Sequence, residues 1–81
     1  MQPTKGMVGR SNAGHDKGRY YLVLEIDGNR ALVADGKLKT LQAPKRKNII
    51  HISATNTLVD VSEYDTNSKI RKLLWQFNYG K

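Results

Sequence analysis

Residues 19–27, Arg-Tyr-Tyr-Leu-Val-Leu-Glu-Ile-Asp, limit what this chain can fold into more than any other segment. The run is rich in aromatic and branched side chains and ends at Asp27-Gly28-Asn29, a strong turn signal, so it reads as a strand. Side chains alternate across a strand. Tyr20, Leu22, Leu24 and Ile26 therefore fall on one face and Tyr21 and Val23 on the other, and both faces are apolar. A sheet with one solvated face has no use for this pattern. Either the strand bends strongly or another part of the chain covers its outer face. With 81 residues there is room for one core only, and with no cysteine neither a disulfide nor a thiolate metal site can support it.

The neighbouring segments continue in β style. Residues 6–11 (GMVGRS) are a short strand candidate, and 30–34 (RALVA) pairs back on 19–27 as a hairpin. Asp35-Gly36 suits a two-residue type I′ turn into 37–41 (KLKTL), which alternates basic or polar with apolar residues. Residues 42–47 (QAPKRK), broken by Pro44, read as a basic loop before a last strand at 48–53 (NIIHIS). Five short strands over residues 1–53 suit a small closed or half-closed β-barrel, since closure removes exposed edges. Residues 54–65 hold acidic residues and no basic one, and read as an irregular connector. Residues 66–78 then place Ile70, Leu73, Leu74 and Phe77 at i, i+3, i+4 and i+7, one face of a helix. Thr66, Asn67 or Ser68 can cap its start and Gly80 its end. This C-terminal helix is a candidate cover for the strand's outer face.

Charge is the informative total. Fourteen Lys and Arg against seven Asp and Glu give +7, and residues 1–53 carry ten of those bases with only four of the acids. A field of that sign on so small a body favours polyanions. The start, MQPTKGMV, lacks the apolar core of a secretory signal, and no apolar run reaches the roughly 18 residues of a membrane span. The expectation is a soluble cytoplasmic protein with no membrane partner.

Enzymatic chemistry finds little footing. Gly9 and Gly14 are spaced like the start of a phosphate-binding loop, but His15-Asp16 stand where its Lys and hydroxyl residue are needed. The two histidines have no ligand spacing, and Ser11, His51 and Asp60 can be grouped only on paper. No catalytic residue, metal, cofactor or small-molecule substrate is therefore expected. The bases carry the signal instead. Arg10, Lys17 and Arg19 flank the loop at 11–18, and Lys37, Lys39, Lys45, Arg46 and Lys47 follow with no acid between residues 37 and 47. Two loops at one end of a barrel would feed one surface that binds phosphates by charge. His15, Tyr20 and Tyr21 are candidates to stack on unpaired bases. Trp75 lies off the helix's apolar face, as a pack against the barrel edge or as an anchor for a protein partner.

The segment AGHDKGRYYLVLEIDGNRALVADG, pivoting on Gly18, is similar to the KOW motif. PKRKNIIHI (44–52) resembles the second basic segment of KOW-type large-subunit ribosomal proteins of the fourteen-e family. A glycine loop, a hairpin ending in Asp-Gly and a basic segment follow in that family in the same order, and the likeness covers residues 5–53. It implies an SH3-like β-barrel that binds RNA, usually ribosomal RNA, through its loops. Position by position, Gly14 and Gly18 would shape the loop, with Lys17 and Arg19 beside the RNA. Lys45, Arg46, Lys47, Asn48 and His51 would match the second segment. The chain's length looks more like a bacterial stand-alone KOW protein than a full archaeal or eukaryotic ribosomal protein. The expected partner is thus RNA, foremost that of the large ribosomal subunit. A protein–protein adaptor using the barrel and Trp75, and a non-specific nucleic-acid binder, are the rivals.

Overall fold

The computed structural model describes residues 2–80, so Met1 of the expected 1–53 unit lies outside it. Five antiparallel strands form one sheet: β1 (Met7–Ser11), β2 (Tyr20–Asp27), β3 (Arg30–Ala34), β4 (Lys45–Asn48) and β5 (Ile52–Leu58), in the order β4-β3-β2-β1-β5. A C-terminal helix, α1 (Asn67–Asn78), completes the mainly β fold. None of the described helices is long and apolar enough to cross a membrane.

β2 is central, and both its faces are buried. On one side Leu22 packs with Val8 of β1, Ala34 of β3, and Ile70 and Leu74 of α1, with Leu73 and Phe77 against that cluster. The helix is therefore the cover that the two-faced strand demands, and the periodic residues of 66–78 are the ones it buries. On the other side Tyr21 and Val23 pack with Ala31 and Val33 of β3 and Ile52 of β5. Gly9 of β1, which lies between β5 and β2, has no side chain, and Ile52 and Val23 both approach the space above it.

One face assignment changes within β2. Val23 pairs with Val33 and Glu25 with Leu32, so Leu24 is the extra residue of a β-bulge. Leu24 stays on the helix side while Ile26 switches to the face of Tyr21 and Val23. Strict alternation had put Ile26 with Leu22.

Two of the five strands lie elsewhere than the sequence pattern indicates, and the sheet does not close. Residues 37–41 are not a strand, because their backbone donors are used locally. The buried Asp35 carboxylate accepts from the amides of Lys37 and Lys39, both at 2.9 Å, and the Leu41 amide donates to Asn67 Oδ1 at 2.8 Å. Among the described residues no non-glycine has positive φ, so Asp35-Gly36 is not a type I′ turn. The Lys45-Arg46-Lys47 segment, expected in a loop, is β4, and Ile49–His51 form a 3₁₀ turn that leads into β5. β5 runs through residues 52–58, taking the first part of the expected irregular connector, whose acids begin only at Asp60. β4 and β5 are the two edges of an open sheet, in place of the closed barrel. The β4 edge is protected by its brevity and charge, the usual means of discouraging edge-to-edge pairing.

The helix is fastened at both ends by asparagines. Thr66 caps its first turn by accepting from the Lys69 amide, and the Asn67 side chain bonds Leu41 and Gln42. At the other end Asn78 accepts from the Tyr20 amide at 2.8 Å and donates to its carbonyl at 3.2 Å. This is the two-bond exchange a neighbouring strand would make. Gly36 lies against the backbone of Asn67 and Arg71, leaving no space for a side chain. Gly80 ends the helix by close approach to Gln76 and not by a left-handed turn.

Candidate nucleic-acid interface

The loop between β1 and β2 is organised around one carboxylate. Gly14 and Gly18 hold φ values of +85° and +94°, which side chains rarely adopt. The turn carries Asp16 inward. Ser11 Oγ donates to its Oδ1 at 2.8 Å and the Tyr21 hydroxyl to its Oδ2 at 2.8 Å. Lys45 Nζ reaches Oδ2 at 3.0 Å and Lys47 Nζ reaches Oδ1 at 3.2 Å. The Asp16 side chain is 10% exposed and that of Lys47 only 7%. Burial disfavours an ionised carboxylate, but the donors outweigh it, Lys45 first, and hold Asp16 well below the usual carboxylate range. Burial, and then the bond to Asp16, push the Tyr21 hydroxyl above its ordinary range.

This hub redistributes the expected site residues. The loop at 11–18 and the basic segment do meet, but through Asp16. Lys47 is buried, its ammonium shared between Asp16 and the Ala13 carbonyl, and half-buried Lys45 points to the same carboxylate. Lys47 is thus not an open phosphate contact. Asn48 turns its side chain onto the Ile50 amide as the cap of the 3₁₀ turn. Tyr21 is buried and offers no stacking face, and Tyr20 packs on Phe77 with ring centroids 5.2 Å apart. Arg10, His15, Lys17, Arg46 and His51 keep exposed side chains around this region, with the Arg10 guanidinium beside Gly18.

The remaining candidates gather on the other side, where α1 crosses the loop after β3. Here a cavity of about 260 Å³ opens between Arg19, Lys37, Arg71, Trp75 and Tyr79, floored by buried Leu74. Arg19, Lys37 and Trp75 were singled out separately in the sequence; the fold brings them together. In the sequence Arg71 reads only as part of a small basic patch with Lys69 and Lys72 near the helix start, and Tyr79 has no site role, although Arg71, Trp75 and Tyr79 recur at i, i+4 and i+8, one helical stripe beside the core face. That spacing was the signal available. Trp75 is 61% and Tyr79 45% exposed, and their rings touch with centroids 4.7 Å apart. Lys37 Nζ sits 5.7 Å from the Tyr79 centroid, within cation–π range. Lys39, half-buried, gives its carbonyl to the amides of Asp35 and Gly36 and so closes the loop beside this cavity.

Among the described residues one carboxylate lines the cavity, and it is spent. Asp35 is 3% exposed, with Oδ1 on two backbone amides and Oδ2 3.3 Å from Arg19 Nη2. Arg19 Nε is buried with no hydrogen-bond partner among the described residues. The Arg19 guanidinium beside the Tyr79 hydroxyl, followed by Lys37, draws that phenol below its ordinary range. The space therefore combines positive charge with exposed π surface.

Two further carboxylates are paired with lysines at the surface, while Asp27, Asp60 and Glu63 have no basic group within 4.0 Å among the described residues. Glu25 pairs with Lys5 at 3.5 Å and Asp65 with Lys69 at 2.9 Å. Among the described residues, Arg10, Lys17, Arg30, Lys37, Lys39, Arg46, Arg71 and Lys72 have no carboxylate within 4.0 Å. No family model and no curated protein matches this chain.

Proposed function

We propose that this protein is a non-enzymatic RNA-binding module of the KOW type, acting in the cytoplasm on structured RNA, foremost that of the large ribosomal subunit. The observation that carries this reading is the pattern of charge pairing. Four of the seven acids, Asp16, Glu25, Asp35 and Asp65, are held in ion pairs, and eight bases remain without one among the described residues, most of them exposed around the β1–β2 loop, on the outer side of β4 and along α1. Such a surface neutralises phosphates and releases counterions, and it follows a folded RNA by shape more than by sequence. The resemblance of residues 5–53 to KOW-type ribosomal proteins points to the same partner. In this reading Asp16 is a structural residue: it anchors the basic strand to the glycine loop, and Lys17 and Arg46 face outward on either side.

The test is the salt dependence of binding to an RNA stem-loop, followed by fluorescence anisotropy between 50 and 200 mM salt. Replacing Arg10, Lys17 and Arg46 together by Ala should lower affinity at low salt and reduce the logarithmic salt slope by about 2 to 3, near one unit per lost phosphate contact. All three side chains are exposed, so the variant should fold normally. An unchanged affinity and slope in a folded variant would remove this surface from RNA binding.

A further inference from the structure

We propose that the cavity between α1 and the β3–β4 loop is a subsite for a single unpaired nucleotide, its base lying on Trp75 and Tyr79 and its phosphate held by Lys37, Arg71 and Arg19. The inference rests on the RNA-binding reading and deepens it by naming what this concavity accepts.

Four features carry it. The volume of about 260 Å³ falls just under the roughly 300–1,000 Å³ typical of small-molecule sites, which suits one nucleotide and not a folded segment. The exposed pair of Trp75 and Tyr79 offers a π surface at its rim, and every base has a π face to set against it. Among the described residues three cations line the space, while the one carboxylate there, Asp35, is buried and bonded at both oxygens, so the ligand side of the cavity is positive. Arg19 lines the space with donor capacity to spare: Asp35 takes one of its N–H groups, and its Nε has no acceptor among the described residues.

The walls are also held in place. Arg71 Nη1 donates to the Gly36 carbonyl at 2.6 Å, and Asn78 is locked to the Tyr20 backbone. The site is thus formed before any ligand arrives, which lowers the ordering cost of binding. An acidic peptide would also satisfy the cations, since clusters of arginines take acidic motifs, but it has no use for the aromatic rim. The exposed faces of the Trp75 and Tyr79 rings, tilted 42° to each other, are what favour a base.

Trp75 is the sole tryptophan, so its fluorescence reports on the site directly. The wild-type protein is titrated with adenosine 5′-monophosphate, adenosine, inorganic phosphate, an acidic peptide, and two RNAs, a fully paired duplex and a stem-loop with unpaired bases. The expected result is quenching by the mononucleotide and the stem-loop, and little by phosphate or the duplex. The stem-loop should bind more tightly than the duplex. Trp75→Ala should weaken stem-loop binding about tenfold and erase that preference, leaving duplex binding nearly unchanged. Arg71→Gln should weaken the mononucleotide without altering the Trp75 spectrum of the free protein. RNA binding with no quenching, and with the preference intact in Trp75→Ala, would overturn the subsite and spare the RNA reading. Quenching by the mononucleotide with no RNA binding would overturn the RNA reading and uphold a nucleotide site. Quenching by the acidic peptide alone would overturn the inference and favour a protein partner.

Discussion

Asp16 shows how one side chain can set the use of several others. It is nearly buried, and four side-chain donors converge on it from β1, β2 and β4. Removing one partner of a buried ion pair typically costs about 3–5 kcal/mol, because the charge left behind has lost water and partner alike. Asp16→Ala should therefore destabilise the fold by about 3 kcal/mol, read from urea unfolding, and a Lys47→Met background should reduce that cost. The pH dependence follows in sign. Asp16 ionises at lower pH in the folded chain than in the unfolded one. Its contribution is complete above the ordinary carboxylate value near 3.9 and is lost as pH falls below it, so Asp16→Asn should flatten the acid limb of stability. Tyr21 works in the opposite direction. Its folded hydroxyl is raised, so its contribution is present below about pH 10 and lost as pH climbs beyond, and Tyr21→Phe should flatten the alkaline limb. Unchanged limbs in both variants would dismiss the hub as a stabilising feature.

At the scale of elements, α1 is the second layer of the fold, covering one face of the open sheet. Its apolar stripe fills one face of β2, and Asn78 satisfies the Tyr20 backbone where no strand runs alongside. Asn78→Ala leaves two backbone groups unmatched and should cost about 1–3 kcal/mol, with faster amide exchange at Tyr20 than at Leu22. Equal exchange at the two positions would show that the amide bond is dispensable. The elements most legible in the sequence were those governed by local rules: the hairpin of β2 and β3 by its turn, and α1 by its period. β4 was hidden because its inward residues are lysines, and a lysine-lined strand makes sense only once Asp16, some thirty positions earlier, is known to meet it. The 37–41 segment misled for the converse reason, since the alternation is real but the Asp35 carboxylate gathers its amides into a loop. For the candidate site, the exposed bases could be read off directly, whereas the cavity depends on a helix stripe meeting a distant loop. Arg71, Trp75 and Tyr79 carried a spacing signal, but Arg19 and Lys37 joined them only through folding.

The whole molecule is a five-stranded sheet with a helix over one face, 27 × 27 × 23 Å in extent and carrying +7. A body of this size and charge is drawn to any polyanion, and charge alone cannot distinguish a particular RNA from nucleic acid in general. What distinguishes them in this account is the combination of outward bases around the glycine loop with a preformed aromatic and cationic hollow. The first would fix the protein on a folded RNA through phosphates, and the second would register an unpaired base within reach. Both features sit on short loops and on one helix that are rigidly tied to the sheet, so recognition should need little rearrangement of the protein. The measurement that tests this most directly is co-sedimentation of tagged protein with ribosomal particles through gradients at low and then high salt. The account predicts migration with the large subunit that persists at a salt concentration sufficient to strip generic polycations. Absence from every RNA-containing fraction at low salt, with the RNA intact and the protein folded, would contradict it.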